Sequence, residues 1–397
     1  MARLPNLNYA RLAVLNFIVL SIWGLALRYM QLGVLPFNYQ YLLHAHSHFA
    51  FSGWMFLTIT YLLARLCCGQ QLNDGFRHVL LAAQVSAWGM LVSFSWQGYK
   101  IVSISFSSLF VIAGFRLAYL VIKNPRLRSN VNSAAFTLIR GAMILLCLSA
   151  LGPFALGPLS VLGLKAGPWY QDAIYFYLHF QMNGFMELAA LGLLAANLPL
   201  ERIARADLHW FRLFLFSTLP LFFIFTLWAQ HGIWAGILAG AGAALNLLSW
   251  LAIMHRHRKH QGALSFLQKV ALLALTIKCL LQLAVCIPLI GDWAFLNRNL
   301  IIGYIHLLTL GILMPLLIEQ LAGNEVFRSR VLFVWLKYIY VTLAAIYLAL
   351  LFLQPLLALW GISVPHYQPL LFWLCAAFLL FGIGLFTLVK QNNNPRI

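Results

Sequence analysis

The chain alternates between long apolar segments and short polar breaks. Twelve apolar runs of about 20 residues, the length that crosses a bilayer as an α-helix, are separated by polar residues, Pro and Gly. The predicted spans are 11–33, 41–66, 77–96, 99–122, 134–156, 172–198, 209–231, 233–254, 266–290, 298–320, 331–354 and 368–390. This pattern predicts an all-α polytopic membrane protein with about twelve transmembrane helices, in which residues 1–397 form a single transmembrane domain.

The composition supports the membrane assignment. The 397 residues are 63% hydrophobic and 9% charged, whereas soluble domains carry roughly 25% charged residues. The net charge of +18 lies mostly in short loops between apolar segments, which is typical of membrane proteins. We therefore expect lipid, and not nucleic acid, as the surrounding partner. The six cysteines form no C-x-x-C or C-x-x-C-H motif, so covalently attached c-type haem is not expected.

Lys and Arg residues are concentrated in alternate loops, and this bias predicts the orientation. The rich loops hold Arg65 and Arg77; Lys123, Arg126 and Arg128; Arg202 and Arg205; Arg256, Arg258 and Lys259; and Arg328 and Arg330. The other loops hold little beyond Lys100, Lys165 and Arg298. By the positive-inside rule the rich loops and both termini are cytoplasmic. We expect an integral protein of a bacterial inner (cytoplasmic) membrane.

Six histidines fall in the outer part of the predicted spans or at their outer ends. They are His44, His46, His48, His179, His231 and His306. At ~1.5 Å per residue, His48, His179 and His306 lie roughly 10 Å below the outer boundary. Histidine inside a membrane is costly and usually functional, although any one of these could simply bond a neighbouring helix. Imidazole is a common metal ligand, and helical bundles are a usual place for haem or metal.

Two short segments resemble the catalytic subunit of the haem–copper oxidase superfamily. "YLHFQMNGFMEL" (177–188) is similar to the nitric oxide reductase pattern H-L-W-V-E-G-x-x-E, with His179, Gly184 and Glu187 in register. "GYIHLLTLG" (303–311) places His306 at the low-spin haem position of the family, and Gly53 resembles its second helix. The resemblance implies a haem–copper oxidase subunit I-like bundle with at least one b-type haem.

The resemblance also implies which residues hold the haem. His306 and His44 are the expected axial ligands, and spacing equally permits His48. On a helix His44 and His48 share one face, whereas His46 points away. Arg298, near the outer mouth of the tenth span, is suited to a haem propionate, or it serves as an interfacial anchor.

A second metal, copper or non-haem iron, is expected at a set that comprises His179, His231 and His46. The family's binuclear site is altered here. Tyr304 stands where the family has its high-spin haem ligand, and it either ligates iron or packs near it. Asn183 replaces the first helix-6 Glu of the reductases. Glu187 is the only carboxylate expected deep in the membrane, as a proton carrier or as a neutral hydrogen-bonding group.

The expected function is that of a membrane redox protein similar to nitric oxide reductases or terminal oxidases. Its electrons would come from quinol or an electron-donor protein, and further subunits fit this picture. The altered binuclear site leaves a non-catalytic haem- or copper-binding or nitrosative-stress protein on the same fold as an alternative. A histidine-lined transporter is the third candidate, and it would hold no haem. The sequence does not choose between nitric oxide and dioxygen as substrate.

Overall fold

The computed structural model describes residues 8–198, 205–324 and 326–390, with no account of the side chains at 205, 206 and 259–261. Arg202, one of the residues that define the predicted orientation, lies outside these ranges. Within them the chain is helical apart from turns, bends and one isolated bridge between Phe327 and Val389. The all-α class predicted from the sequence is confirmed.

Eleven helices of the described residues are long and apolar enough to cross a membrane. They are α1 (Tyr9–Tyr29), α2 (Tyr39–Cys68), α3 (Asp74–Gln97), α4 (Ile101–Ile122), α5 (Ser133–Val161), α7 (Asp207–Ala229), α8 (Ile233–Arg256), α9 (Phe266–Val285), α10 (Arg298–Gly323), α11 (Arg330–Ala358) and α12 (Tyr367–Leu388). The protein is therefore a polytopic membrane helical bundle. Each helix agrees with a predicted span to within a few residues at most ends.

The sixth predicted span, 172–198, is helical but is not among the eleven helices that are apolar enough to cross a membrane. Helix α6 occupies that region as Pro168–His179, a π-helical segment Phe180–Met186, and Glu187–Ala196. Its middle carries Gln181, Asn183 and Glu187, which make it less apolar than the other eleven. A twelfth span therefore stays a prediction.

Short helices join several of the spans, at Pro125–Asn130, Leu164–Ala166, Arg258–Ala263 and Pro288–Leu296. The last of these ends the ninth predicted span early, because Pro288 starts a new helix after Val285. Side-chain caps fix several helix starts. The Asn132 side chain accepts from the backbone N–H of Ala135, and Ser265 forms a capping box with Gln268.

Among the described residues, three helices contain a segment with π-helical hydrogen bonding. The π segments are Ala50–Phe56 in α2, Phe180–Met186 in α6 and Leu307–Leu313 in α10. Each begins one or two residues after a histidine, namely His48, His179 and His306. π-Helical turns are rare and occur frequently at functional sites.

The chain divides into two compact units. The first comprises residues 1–117 and 317–397, and the second comprises residues 118–316. In the first unit α1 packs against α12, where the Phe17 and Phe381 rings lie 6.1 Å apart. In the second unit α7 packs closely against α8, with Gly242 facing the backbone of Leu221. A single transmembrane domain stays a prediction.

Candidate functional site

One face of α6 carries three buried polar side chains in the second unit. His179, Asn183 and Glu187 follow one another at intervals of four residues, and they are 1%, 4% and 1% exposed. They face Lys278 on α9 and Tyr304 on α10. We refer to these five residues, together with Gln282 of α9, as the polar ladder. A polar cluster in an apolar span marks a functional-site candidate.

Two residues of the polar ladder, Lys278 and Glu187, form an ion pair. Lys278 Nζ lies 2.6 Å from Glu187 Oε2, and the two side chains are 1% and 2% exposed. Removing two charges from water costs several kcal/mol, so such a pair persists only when the partners meet in good geometry. The pair neutralises a cation and a carboxylate that would otherwise be isolated in apolar surroundings.

The other four residues of the polar ladder, Gln282, Tyr304, Asn183 and His179, are linked by hydrogen bonds. Gln282 Nε2 donates to Tyr304 Oη at 2.8 Å, and Tyr304 Oη donates to Asn183 Oδ1 at 2.9 Å. His179 Nε2 lies 2.8 Å from the Thr218 carbonyl oxygen, which can only accept, so Nε2 carries the proton. His179 Nδ1 is then the acceptor for the Asn183 amide, 3.4 Å away. Both ring nitrogens of His179 are engaged within the protein.

Further buried polar groups surround the ladder in the same unit. Cys279 Sγ donates to Asn246 Oδ1 at 3.3 Å, and Asn246 Nδ2 donates to Ser217 Oγ at 2.9 Å. Ser149 Oγ donates to Gln181 Oε1 at 3.1 Å. Gln181 Nε2 is buried and meets no hydrogen-bond partner among the described residues. Such a donor is costly to bury.

His231 lies in a loop and not at a helix end, which corrects the prediction that the seventh span ends at this residue. The last turns of α7 form a 3₁₀-helix, Phe222–Ala229, after Pro220, and Gln230 then takes a left-handed backbone conformation with φ of 50°. His231 Nε2 lies 2.6 Å from Asp172 Oδ2, and the two side chains are 14% and 9% exposed.

These contacts give no support to the predicted second metal. His179 is held by a carbonyl and an amide, and His231 is held by Asp172. In the described parts of the chain, no three His, Cys, Asp or Glu side chains gather as a metal centre would require. As hydrogen-bonded here, His179 and His231 do not fit the predicted copper or non-haem iron.

His306 has the hydrogen bonding expected of a metal-ligating histidine. Its Nδ1 lies 2.8 Å from the Ile302 carbonyl oxygen, so Nδ1 carries the proton and the ring's lone pair is on Nε2. A backbone carbonyl that holds Nδ1–H commonly fixes the tautomer of a ligand histidine. Arg298 is the exposed first residue of α10, and its role at a propionate stays a prediction.

In the first unit, His44 and His48 share a face of α2, as their spacing predicts. His48 Nε2 lies 2.7 Å from Tyr99 Oη, and its ring stacks on Phe94 with centroids 4.4 Å apart. The His44 ring meets the edge of Tyr99 at 4.8 Å. His48 is thereby fixed in an aromatic cluster through the nitrogen that most often binds metals.

His46 points in another direction, toward α1. A Cβ added at Gly24 would lie 3.2 Å from His46 Cε1, so the imidazole rests directly on the glycine. With a side chain at this position, the imidazole would have to shift by a few tenths of an ångström. The Asn38 side chain caps the start of α2 by accepting a hydrogen bond from the backbone N–H of Tyr41.

The structure thus brings together the three residues predicted to be catalytic, Asn183, Glu187 and Tyr304. The predicted axial pair of His306 with His44 or His48 draws on both units and stays a prediction. Sequence reasoning missed Lys278 as the partner of Glu187. The signal was present, because a lysine in mid-span needs a carboxylate, and Glu187 was the only deep one.

No protein-family profile matches the chain, and no curated protein is significantly similar to it in sequence. The likeness to the haem–copper oxidase superfamily therefore stays a prediction from the two short segments and the order of the spans.

Proposed function

We propose that this chain is a membrane-embedded b-type haem redox protein with a haem–copper oxidase subunit I-like arrangement of twelve helices. On this proposal it lies in a bacterial inner membrane with both termini in the cytoplasm. The observation that carries the proposal is the coincidence of rare π-helical segments with histidines. All three π segments follow His48, His179 or His306 within two residues, and such segments favour functional sites.

His306 is the proposed haem ligand in the second unit, because its Nε2 carries the lone pair that iron requires. On α2 the proposed ligand is His44 or His48, the pair named by the resemblance. His48 is bonded to Tyr99 through Nε2, and His44 lies against the same tyrosine.

The polar ladder supplies proton-holding groups. When bound, the haem would supply one-electron transfer. Lys278 and Glu187 can share a proton at 2.6 Å, and the Tyr304 hydroxyl is oriented by Gln282 and Asn183. The proposed electron donor is quinol or a donor protein, with nitric oxide or dioxygen as the substrate.

The contacts of His179 favour a second candidate function on the same fold. Both nitrogens of this ring are engaged by Thr218 and Asn183. A protein with one haem and no second metal would bind haem without reducing a substrate. Carbon monoxide discriminates between the two, because a six-coordinate low-spin haem does not bind it, whereas an open iron site does.

Reduced-minus-oxidised absorption spectra of three detergent-purified proteins test the proposed ligand. The proteins are the wild type, His306→Ala and the control His366→Ala, which changes an exposed histidine outside the spans. We expect a low-spin b-type signal in the wild type and in the control, and its loss in His306→Ala. Retention of that signal in His306→Ala would remove His306 as the ligand. A colourless wild type would favour the transporter.

A further inference from the structure

Arg28, at the end of α1, points into the first unit. Its Nη2 donates to Tyr347 Oη at 2.6 Å, and Tyr347 is 3% exposed. The Cys375 thiol and the Tyr367 phenol also lie close enough to interact electrostatically with the guanidinium. Arg28 is half-buried, and the groups of α11 and α12 nearest its guanidinium carry no negative charge at neutral pH.

The chain supplies no anion to Arg28 within the described residues. Five of the six described carboxylates pair elsewhere, and those pairs are Asp74 with Arg77, Asp172 with His231, Glu187 with Lys278, Asp207 with Arg256, and Glu319 with Lys337. The sixth, Asp292, is an exposed residue of the second unit. A guanidinium held among apolar and phenolic groups without a counter-ion is unfavourable.

Arg28 lies at the end of α1 and near Tyr367, the first residue of α12, but its guanidinium also reaches Tyr347 farther along α11. Long basic side chains near helix ends normally extend toward water. Arg28 instead reaches Tyr347, which lies eleven positions before the end of α11, or about 16 Å along the helix at ~1.5 Å per residue. Cys375 is likewise about 12 Å from the start of α12 by the same rise. The charge is directed toward the interior of the unit.

We propose that Arg28, Tyr347 and Tyr367 form a binding site for the oxyanion of a membrane-soluble molecule. Arg has five N–H donors in a planar fork that matches a carboxylate or a phosphate. The Tyr367 hydroxyl is a second donor, since its oxygen is buried and has no hydrogen-bond partner among the described residues. The oxyanion is either a carboxylate of the bound cofactor, in which case the site deepens the proposed function, or a phospholipid phosphate, in which case it does not depend on that function.

Arg28→Gln and Arg28→Lys test the site, with Arg330→Gln as the matched control. Arg330 is an exposed residue at the start of α11, so the control removes the same charge from the same unit. In the lipid arm, native mass spectrometry measures phosphatidylglycerol retained by protein purified from nanodiscs that contain it. In the cofactor arm, haem per polypeptide and the haem midpoint potential are measured by absorption spectroscopy.

We expect Arg28→Gln to weaken binding in one arm by about 10- to 100-fold, the effect of losing a charge-assisted hydrogen-bonding pair. Arg28→Lys should be intermediate, because the ammonium keeps the charge without the fork. A change confined to phosphatidylglycerol assigns a lipid phosphate, and a lower haem content or potential assigns a cofactor carboxylate.

Unchanged retention and unchanged potential in Arg28→Gln would overturn the proposal, even if the wild type contains haem. A wild type without haem would refute the proposed function but leave the lipid arm decisive. If Arg28→Gln fails to fold, Arg28→Lys and Tyr347→Phe are compared with the wild type in the same two arms, since both variants retain the positive charge.

Discussion

Breaking the Glu187–Lys278 pair from either side should be far more harmful than replacing both partners. At 2.6 Å and an effective dielectric of ~20, the direct attraction is about 6 kcal/mol. The side chains are 1% and 2% exposed, so water screens this attraction little and the cost of desolvation offsets much of it. Lys278→Met and Glu187→Gln should each lower the free energy of unfolding by about 3–5 kcal/mol, because each leaves a buried charge alone.

The double variant Glu187→Gln/Lys278→Met should recover most of that loss, since it leaves no isolated charge. Unfolding in mixed micelles with increasing sodium dodecyl sulfate gives the four free energies of the cycle. Lys269→Met, an exposed position on the same helix, is the control and should change stability by less than about 0.5 kcal/mol. Additive losses in the double variant would contradict an interaction between Glu187 and Lys278, because additivity means that the two charges do not interact.

Three other substitutions test separate contacts. Gly242→Ala should lower the free energy of unfolding by about 1–3 kcal/mol in the same assay, because the new Cβ would lie 2.6 Å from the backbone N of Leu221. The control Gly240→Ala should be tolerated, because the space around Gly240 is open. Tyr304→Phe should lower the free energy of unfolding by about 1–3 kcal/mol, because it leaves buried amide partners unsatisfied. An unchanged unfolding midpoint would mean that water satisfies these amides in the polar ladder. His48→Phe should keep the haem spectrum, because the ring is held by aromatic packing, and loss of that spectrum would assign the ligand role to His48.

Hydropathy predicted the positions of the spans well because apolar length alone determines where a helix can cross. It also predicted that His44 and His48 share a face, since helical periodicity is local. The run around Asn183 was predicted as a span because its flanks are apolar. Its polar middle became understandable only when Lys278 and Tyr304 were seen opposite it.

The parts that could not be predicted depend on lateral packing and on local changes of helix type. The sequence around His306 does not predict a π-helical segment, because tertiary contacts stabilise such a segment. The partners of His179 and His231 are a backbone carbonyl and an aspartate from other segments. Residue type alone does not predict these partners, and the second metal at His179 and His231 stays a prediction.

The most direct measurement is the haem content of the detergent-purified wild-type protein, determined as the pyridine haemochrome per polypeptide together with iron analysis. The proposed function predicts at least one b-type haem and one iron per chain. A protein that is folded by circular dichroism, yet colourless and free of iron after expression with adequate haem supply, would contradict it.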